Sequence, residues 1–205
     1  AFSEALVREK DPDTVLNAAC HFTVNTGGFR MAWIGLYDDT GTLKVRAHAG
    51  ADAGALDIIE RLMLAEPPAG CRFTADALLR GHHAICDNIA TDPHAVGWRS
   101  EALTRHYRSM ASLPIMSSGR PIGVFSLYAS EADVFDEQEV RLLDNVATDI
   151  SFALEVLRRD LERQQAEERF RLVVENIREM FWISDPNGVA EFVRPAYSTI
   201  WGRPL

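Results

Sequence analysis

The chain lacks any apolar run approaching the roughly 20 residues that a membrane-spanning helix needs. We therefore expect no membrane contact within its 205 residues. Cysteine is also scarce, with only Cys20, Cys71 and Cys86 present. Three cysteines do not supply the disulfide framework of a small secreted domain. The sequence therefore predicts reduced thiols and a cytoplasmic protein.

Positive charge is scarce as well. The chain has 21 lysines and arginines against 30 aspartates and glutamates, which gives a net charge of -9. Proteins that follow nucleic-acid phosphates carry a basic patch, whereas the densest charge cluster here, residues 158–171, mixes both signs. We therefore expect no nucleic-acid partner.

Helices and hairpins alternate along the first 155 residues. Asp11-Pro12 has the form of a helix start, with aspartate as the N-cap and proline at the first helical position. Two of the strand-forming runs that follow are separated by the turn signal Asp38-Asp39-Thr40-Gly41. The pattern predicts an α+β fold in which helices flank an antiparallel sheet. The predicted strands are residues 31–37, 43–49, 84–87, 108–115 and 121–128.

A long C-terminal helix is predicted to begin after Asp136, with Glu139 completing a capping box. Its apolar residues recur in steps of four and three, which is the spacing of helices that pair. We expect the first half to cover the sheet. The second half needs a partner helix, because no predicted sheet remains to cover it. The seam of this parallel homodimer is predicted at Leu154, Leu157 and Leu161.

The pattern changes near the end of the chain. Residues 181–183 predict a short strand, Asp185-Pro186-Asn187-Gly188 predicts a turn, and residues 189–193 predict a second strand. Two strands and a helix do not bury a core alone. We therefore expect the opening of a second, truncated domain.

Several stretches, in this order and spacing, carry a resemblance to known families. Residues 12–155 resemble a GAF domain, and residues 167–205 resemble the start of a PAS domain. The GAF stretches are Gly-Gly-Phe-Arg-Met-Ala-Trp-Ile-Gly-Leu-Tyr (27–37), Tyr-Arg-Ser-Met-Ala-Ser-Leu-Pro-Ile (107–115), Gly-Val-Phe-Ser-Leu-Tyr (123–128) and Phe-Asp-Glu-Gln-Glu-Val-Arg-Leu-Leu (135–143). The PAS stretches are Glu-Arg-Phe-Arg-Leu-Val-Val-Glu-Asn-Ile (168–177), Phe-Trp-Ile-Ser-Asp-Pro-Asn-Gly (181–188) and Pro-Ala-Tyr (195–197).

The resemblance implies a bacterial-type sensory protein. Residues 1–11 would form an N-terminal extension, 12–155 the ligand-binding GAF domain, 156–166 a coiled-coil linker helix and 167–205 the truncated PAS domain. Ligand occupancy would pass through the dimeric helix to the PAS domain and to a missing output domain, a histidine kinase or a diguanylate cyclase. This segment itself is expected to bind a small molecule and not to be an enzyme.

The ligand pocket of GAF domains lies between the sheet and the middle segment, here about residues 83–109. An apolar pocket with a few convergent polar groups is the usual small-molecule site. The resemblance therefore implies a site formed by Cys86, Asp87, His94, Trp98, His106 and Ser109, with Trp33 and Phe125 as its floor.

The sequence identifies no cofactor. Bilin-carrying GAF domains place a cysteine in the helix before the fourth strand, but residues 98–106 contain none, and Cys20-His21 lies on the first helix. Four histidines surround the expected pocket, yet no recognised metal-ligand spacing is present, which argues against haem or a metal. Cyclic-nucleotide-binding GAF domains carry a sequence signature, and this chain matches only its Phe-Asp-Glu part, at Phe135-Asp136-Glu137. Helix capping explains two of these three residues. The histidines are His82, His83, His94 and His106.

Two other functions stay open. Some GAF domains serve only as dimerisation modules without a ligand. Free methionine sulfoxide reductases use a GAF scaffold with pocket thiols, and Cys71 and Cys86 flank the middle segment, where a thiolate nucleophile and a resolving partner are conceivable.

Overall fold

The computed structural model describes residues 9–50, 54, 72–176, 182–184 and 190–193. Helices α1–α4 span Pro12–Asn25, Arg72–Arg80, Arg99–Thr104 and Glu137–Asn176, and a short 3-10 helix spans Pro93–Ala95. Strands β1–β7 span Met31–Tyr37, Leu43–Gly50, Ala84–Cys86, Ser109–Ser117, Arg120–Ala129, Trp182–Ser184 and Ala190–Val193.

The first five strands form one antiparallel sheet in the order β2-β1-β5-β4-β3. The predicted α+β fold, an antiparallel sheet flanked by helices with a long C-terminal helix, is confirmed. Trp33 on β1 lies opposite Ser126 on β5, and Ser126 lies opposite Ser112 on β4. Directly opposed residues of neighbouring strands share a face, so these three side chains form one row across the sheet.

Each face of the sheet buries its own cluster of side chains. Ile34 and Phe125 pack with residues of α1 and α4 on one face, which we call the helix face. Trp33 and Tyr128 pack with residues of α2, α3 and the segment between β3 and α3 on the other, which we call the aromatic face. The sheet therefore separates two cores.

The two main helices of the helix face begin at side-chain caps, as predicted. Asp11 accepts a hydrogen bond from the backbone N–H of Thr14 at 2.9 Å and so caps α1. Asp136 Oδ1 accepts from the backbone N–H groups of Gln138 and Glu139, at 2.9 and 2.8 Å. These caps satisfy donors that a helix start otherwise leaves unpaired. At its 40 residues, α4 is about 60 Å long.

The expectation that the dimer seam lies wholly beyond the sheet is wrong for two of its three leucines. Leu154 is buried in the helix-face cluster, and Leu157 packs against it. The reason is that the sheet extends further along α4 than the sequence predicts, since Ser117 at the end of β4 donates to Glu155. Leu161 is 55% exposed, as the prediction requires.

The chain divides into two compact units, residues 1–157 and 158–205. The second contains the end of α4 and a hairpin, in which Trp182 on β6 lies opposite Val193 on β7. These are the two short strands predicted near the chain end, while most of the predicted truncated domain lies outside the described residues. Among the residues that the structure describes, no helix is both long and apolar enough to cross a membrane.

Candidate functional site

The aromatic face brings together three of the predicted site residues. Trp33 on β1 and Cys86 on β3 are fully buried, and Trp98, immediately before α3, is nearly so. All three belong to the same cluster. This face is therefore the part of the predicted pocket that the structure assembles.

Two predicted residues lie on the opposite face. Phe125 belongs to the helix-face cluster, because it alternates along β5 with Val124 of the aromatic face and with Ser126. Ser109 is buried, but its hydroxyl donates to the backbone carbonyl of Glu131 at 2.7 Å. The expectation that Phe125 and Trp33 form one pocket floor is therefore incorrect.

Three further predicted residues are exposed. His94 lies in the 3-10 turn, where its backbone N–H donates to Asp92 Oδ1 at 2.7 Å. His106 ends the α3 turn in a left-handed conformation with φ of 60°. Asp87 is also exposed, and its carbonyl accepts from the Asp133 N–H. The backbone of each of these three residues helps to form a turn or a loop contact. Their side chains do not belong to the cluster of the aromatic face.

Sequence reasoning missed a buried row of hydroxyl groups. Ser126 Oγ and Ser112 Oγ lie 2.8 Å apart, and Ser112 Oγ lies 3.3 Å from Thr74 Oγ1 of α2. All three residues are buried. No local pattern signalled this row, because Ser112 and Ser126 are single serines two residues from the bulky apolar Met110 and Tyr128, and only the strand register brings them opposite one another. Polar residues of this kind inside a core need a partner or a function.

The indole N–H groups of Trp33 and Trp98 are the unusual feature of this face. Both Nε1 atoms are buried, and neither has a hydrogen-bond acceptor among the described residues. A buried donor without an acceptor costs about 1–3 kcal/mol. A folded protein carries few such groups, and two in one cluster require an explanation.

Other aromatic rings belong to the same cluster as these donors. Trp98 meets Tyr128 edge to face with ring centroids 6.2 Å apart, and Tyr107 lies against Tyr128 at 4.8 Å. The Tyr107 hydroxyl donates to the Met31 sulfur at 3.1 Å, which fixes that ring. The face therefore combines apolar and aromatic side chains with a few buried polar groups, the usual composition of a small-molecule site.

The thiol of this face is not a ready nucleophile. Burial, reinforced by the Asp92 carboxylate, raises the pKa of Cys86 to about 12. Burial likewise raises the pKa of Cys20, on α1, to about 12. A thiol attacks as the thiolate, so Cys86 is inert at neutral pH in this state. Cys71, its predicted partner, lies outside the described residues.

On the helix face, α4 is attached to the sheet by side-chain contacts. His83 Nδ1 lies 2.9 Å from Asp144 Oδ2, the Met116 N–H donates to Ser151 Oγ at 2.9 Å, and the Ser117 hydroxyl donates to Glu155. Asp144, Ser151 and Glu155 are seven and four residues apart, which places them on one side of the helix. His83 therefore contacts α4.

Within the described ranges, no group of three or more His, Cys, Asp or Glu side chains could hold a metal ion.

A family model described as GAF domain matches residues 9–155. Two curated proteins are similar in sequence. The Methyl sulfide methyltransferase-associated sensor of Methanosarcina acetivorans is 29% identical over 111 residues, which is 54% of this chain and 11% of that protein. Sensor histidine kinase YhcY of Bacillus subtilis is 25% identical over 159 residues, or 76% of this chain and 41% of that protein. The chain thus spans less than half of either relative.

A solved structure shares the fold. The free methionine-R-sulfoxide reductase of Neisseria meningitidis, solved with its substrate, superposes with a TM-score of 0.62 over 78% of this chain and 87% of that chain. Its sequence identity is 19%, so this likeness concerns the fold alone.

Proposed function

The chain belongs to the GAF domain family, and from that premise we propose that its first unit is a sensory domain that binds a small molecule at the aromatic face. Its similarity to a sensor protein and a sensor histidine kinase supports a role in signalling. The predicted GAF assignment is confirmed, whereas the ligand is a proposal.

One observation carries the ligand proposal. Trp33 and Trp98 each bury an N–H donor for which the described residues supply no acceptor. A ligand that supplies the acceptors removes a cost of about 1–3 kcal/mol per donor. The nearby hydroxyl row and aromatic side chains give the same face both polar and apolar contacts.

The output runs through the other face of the sheet. β4 and β5 contribute side chains to both faces, and α4 is bound to the end of β4 through Ser151 and Glu155. A ligand that prefers one arrangement of these strands shifts the population of α4 positions, by no more than its difference in affinity for the two states. The proposed recipients are a PAS domain beginning near residue 167 and an output histidine kinase or diguanylate cyclase.

Native mass spectrometry of the protein, purified without denaturation, tests the binding proposal. We expect a retained mass in the wild type that is absent when Trp33→Phe and Trp98→Phe are combined. Tyr37→Phe is the control, since Tyr37 ends β1 but is 44% exposed. Wild-type protein with no retained mass, and no stabilisation by a metabolite extract, would contradict the proposal.

A ligand-free dimerisation module is the second candidate. Every residue from 158 to 172 is exposed, and an isolated helix of this length is marginal in water. A second copy would cover Leu161, which extends the predicted seam beyond the sheet. Dimerisation without any retained ligand, together with unchanged behaviour of the two Trp→Phe variants, would favour this function.

A thiol-dependent reductase is the third candidate, supported by the fold of the Neisseria meningitidis enzyme. The raised pKa of Cys86 opposes it, because a protonated buried thiol does not attack a sulfoxide. We expect no turnover of free methionine-R-sulfoxide with a thiol reductant. Turnover that Cys86→Ala abolishes would replace the sensor proposal for this unit.

A further inference from the structure

We infer that the ligand of the aromatic face is an uncharged molecule with an apolar body and at least two acceptor atoms of the carbonyl type, which bind the indole N–H groups of Trp33 and Trp98. This inference rests on the proposed function, and it concerns the chemical class of the ligand.

Among the described residues, the two side-chain groups left unpaired on this face can only donate, whereas the hydroxyls of Thr74, Ser112 and Ser126 can donate or accept. An indole nitrogen donates and does not accept, and both indole N–H groups are unpaired among the described residues. Thr74, Ser112 and Ser126 share two hydrogen bonds among three hydroxyls, so one O–H hydrogen is not used within the row. A ligand that matches this face must therefore accept hydrogen bonds.

The charge on this face argues for an uncharged ligand. No Asp, Glu, Lys or Arg is among the buried residues that the structure describes, and the charged group nearest to Cys86 is the negative Asp92 carboxylate. Cys86 stays protonated because burial raises its pKa. The cation nearest in sequence to Trp98, Arg99, donates to the carbonyls of Ile89 and Asp92, at 3.0 and 2.6 Å. A buried anion would lack a described cationic partner here, and burying an unpaired charge is costly.

A cationic ligand is disfavoured for a different reason. Aromatic rings attract cations over their faces, and this cluster has several rings. The unpaired groups, however, are N–H donors, which present the positive end of their dipoles. Binding a cation would leave both donors without acceptors and keep their cost of burial.

Four para-substituted benzenes of similar length test the inference. The probes are 1,4-diacetylbenzene, with two carbonyls; 1,4-diethylbenzene, nearly the same shape without acceptors; terephthalate, a dianion; and 1,4-bis(aminomethyl)benzene, a dication. Each is titrated into the whole chain labelled with ¹⁵N at the tryptophan indoles. Dissociation constants come from the indole resonances, which Trp33→Phe and Trp98→Phe assign.

We expect 1,4-diacetylbenzene to bind at least tenfold more tightly than the other three probes and to move the Trp33 and Trp98 N–H resonances downfield. Two net hydrogen bonds of ordinary strength support a factor of this size. Either single Trp→Phe variant is expected to weaken 1,4-diacetylbenzene about three- to tenfold, to leave 1,4-diethylbenzene unchanged, and to differ from the Tyr37→Phe control.

The outcomes separate the two proposals. Equal or tighter binding of 1,4-diethylbenzene, terephthalate or the diamine, with the indole resonances moving, would overturn the ligand class and leave a binding site in place. Binding of none of the four, with both indole resonances unmoved, would count against any ligand on this face and so against the proposed function.

Discussion

Both faces of the sheet bury a cluster of side chains, but the two clusters differ in chemistry. The helix face is packed with alanine and branched aliphatic residues, and its buried hydroxyls are paired, as at Thr23, whose Oγ1 donates to the carbonyl of Ala19 at 3.0 Å. The aromatic face buries two indole donors without acceptors in the described residues. A satisfied apolar face favours stable attachment, whereas unsatisfied donors favour recognition of something that supplies acceptors. Changes on the helix face should therefore affect folding, and changes on the aromatic face should affect binding.

The largest expected difference is between the same substitution at two leucines of α4. Leu154→Glu places a carboxylate in the helix-face core and should cost more than about 4 kcal/mol, or prevent folding of the first unit. Leu161→Glu changes an exposed position and should leave the unfolding transition of that unit unchanged while weakening self-association. Urea unfolding and sedimentation velocity measure the two effects. A wild-type monomer at high micromolar concentration would contradict the dimer.

The next comparison sets one aromatic residue of each face against the other. Phe125→Ala should cost about 3–5 kcal/mol, because Phe125 is fully buried in the apolar core. Trp33→Phe should change stability by about 1 kcal/mol or less, since the loss of ring area is offset by removal of an unpaired buried N–H. Urea unfolding at 25 °C gives both values. Equal costs would indicate that the Trp33 indole is hydrogen-bonded in solution.

A smaller effect is expected where α4 is attached to β4. The Met116 N–H faces Pro121 across the hairpin, at a shift in strand register, and donates instead to Ser151 Oγ. Ser151→Ala leaves that N–H without its acceptor and should cost about 1–2 kcal/mol. Thr148→Ala is the matched control, because the Thr148 hydroxyl donates to the backbone carbonyl of Asp144 within the same helix. Amide exchange at Met116 should accelerate only in Ser151→Ala; the same acceleration in both variants would argue against this tether.

The smallest effect near neutral pH comes from the thiols. Burial raises the pKa of Cys20 and Cys86 to about 12 in the native state. Between about pH 9 and pH 12 the unfolded chain therefore binds fewer protons at these thiols than the native chain, and stability falls as pH rises. Cys20→Ala and Cys86→Ala should each make the free energy of unfolding fall less steeply between about pH 9 and pH 12. Neither substitution should alter the pH dependence of that free energy below pH 8. Denaturant titrations across this range measure it, and unchanged slopes would show that the thiols ionise freely.

The fold was predictable because its signals are local. Asp11 and Asp136 mark helix starts by capping, and the alternation of strands with turn residues located β1–β5. Burial of Leu154 was not predictable from the heptad spacing, because the spacing does not reveal how far β4 extends beside α4.

The site was harder to predict for two physical reasons. β5 is buried on both faces, so its continuous apolar run hides which residues share a side, and Phe125 was assigned to the wrong one. His94 and His106 lie close in sequence to Trp98, but turn geometry leaves them exposed. The serines at 112 and 126 form a row only through strand register, which no local pattern contains.

The most direct test compares both faces in one experiment. Protein labelled with ¹⁵N at its indoles and ¹³C at its leucine and isoleucine methyls is saturated with 1,4-diacetylbenzene. The Trp33 and Trp98 N–H resonances should move downfield, while the methyls of Leu113 and Leu127, on the helix face, should move little. Larger shifts at those methyls, with both indole resonances unmoved, would contradict the assignment of recognition to the aromatic face.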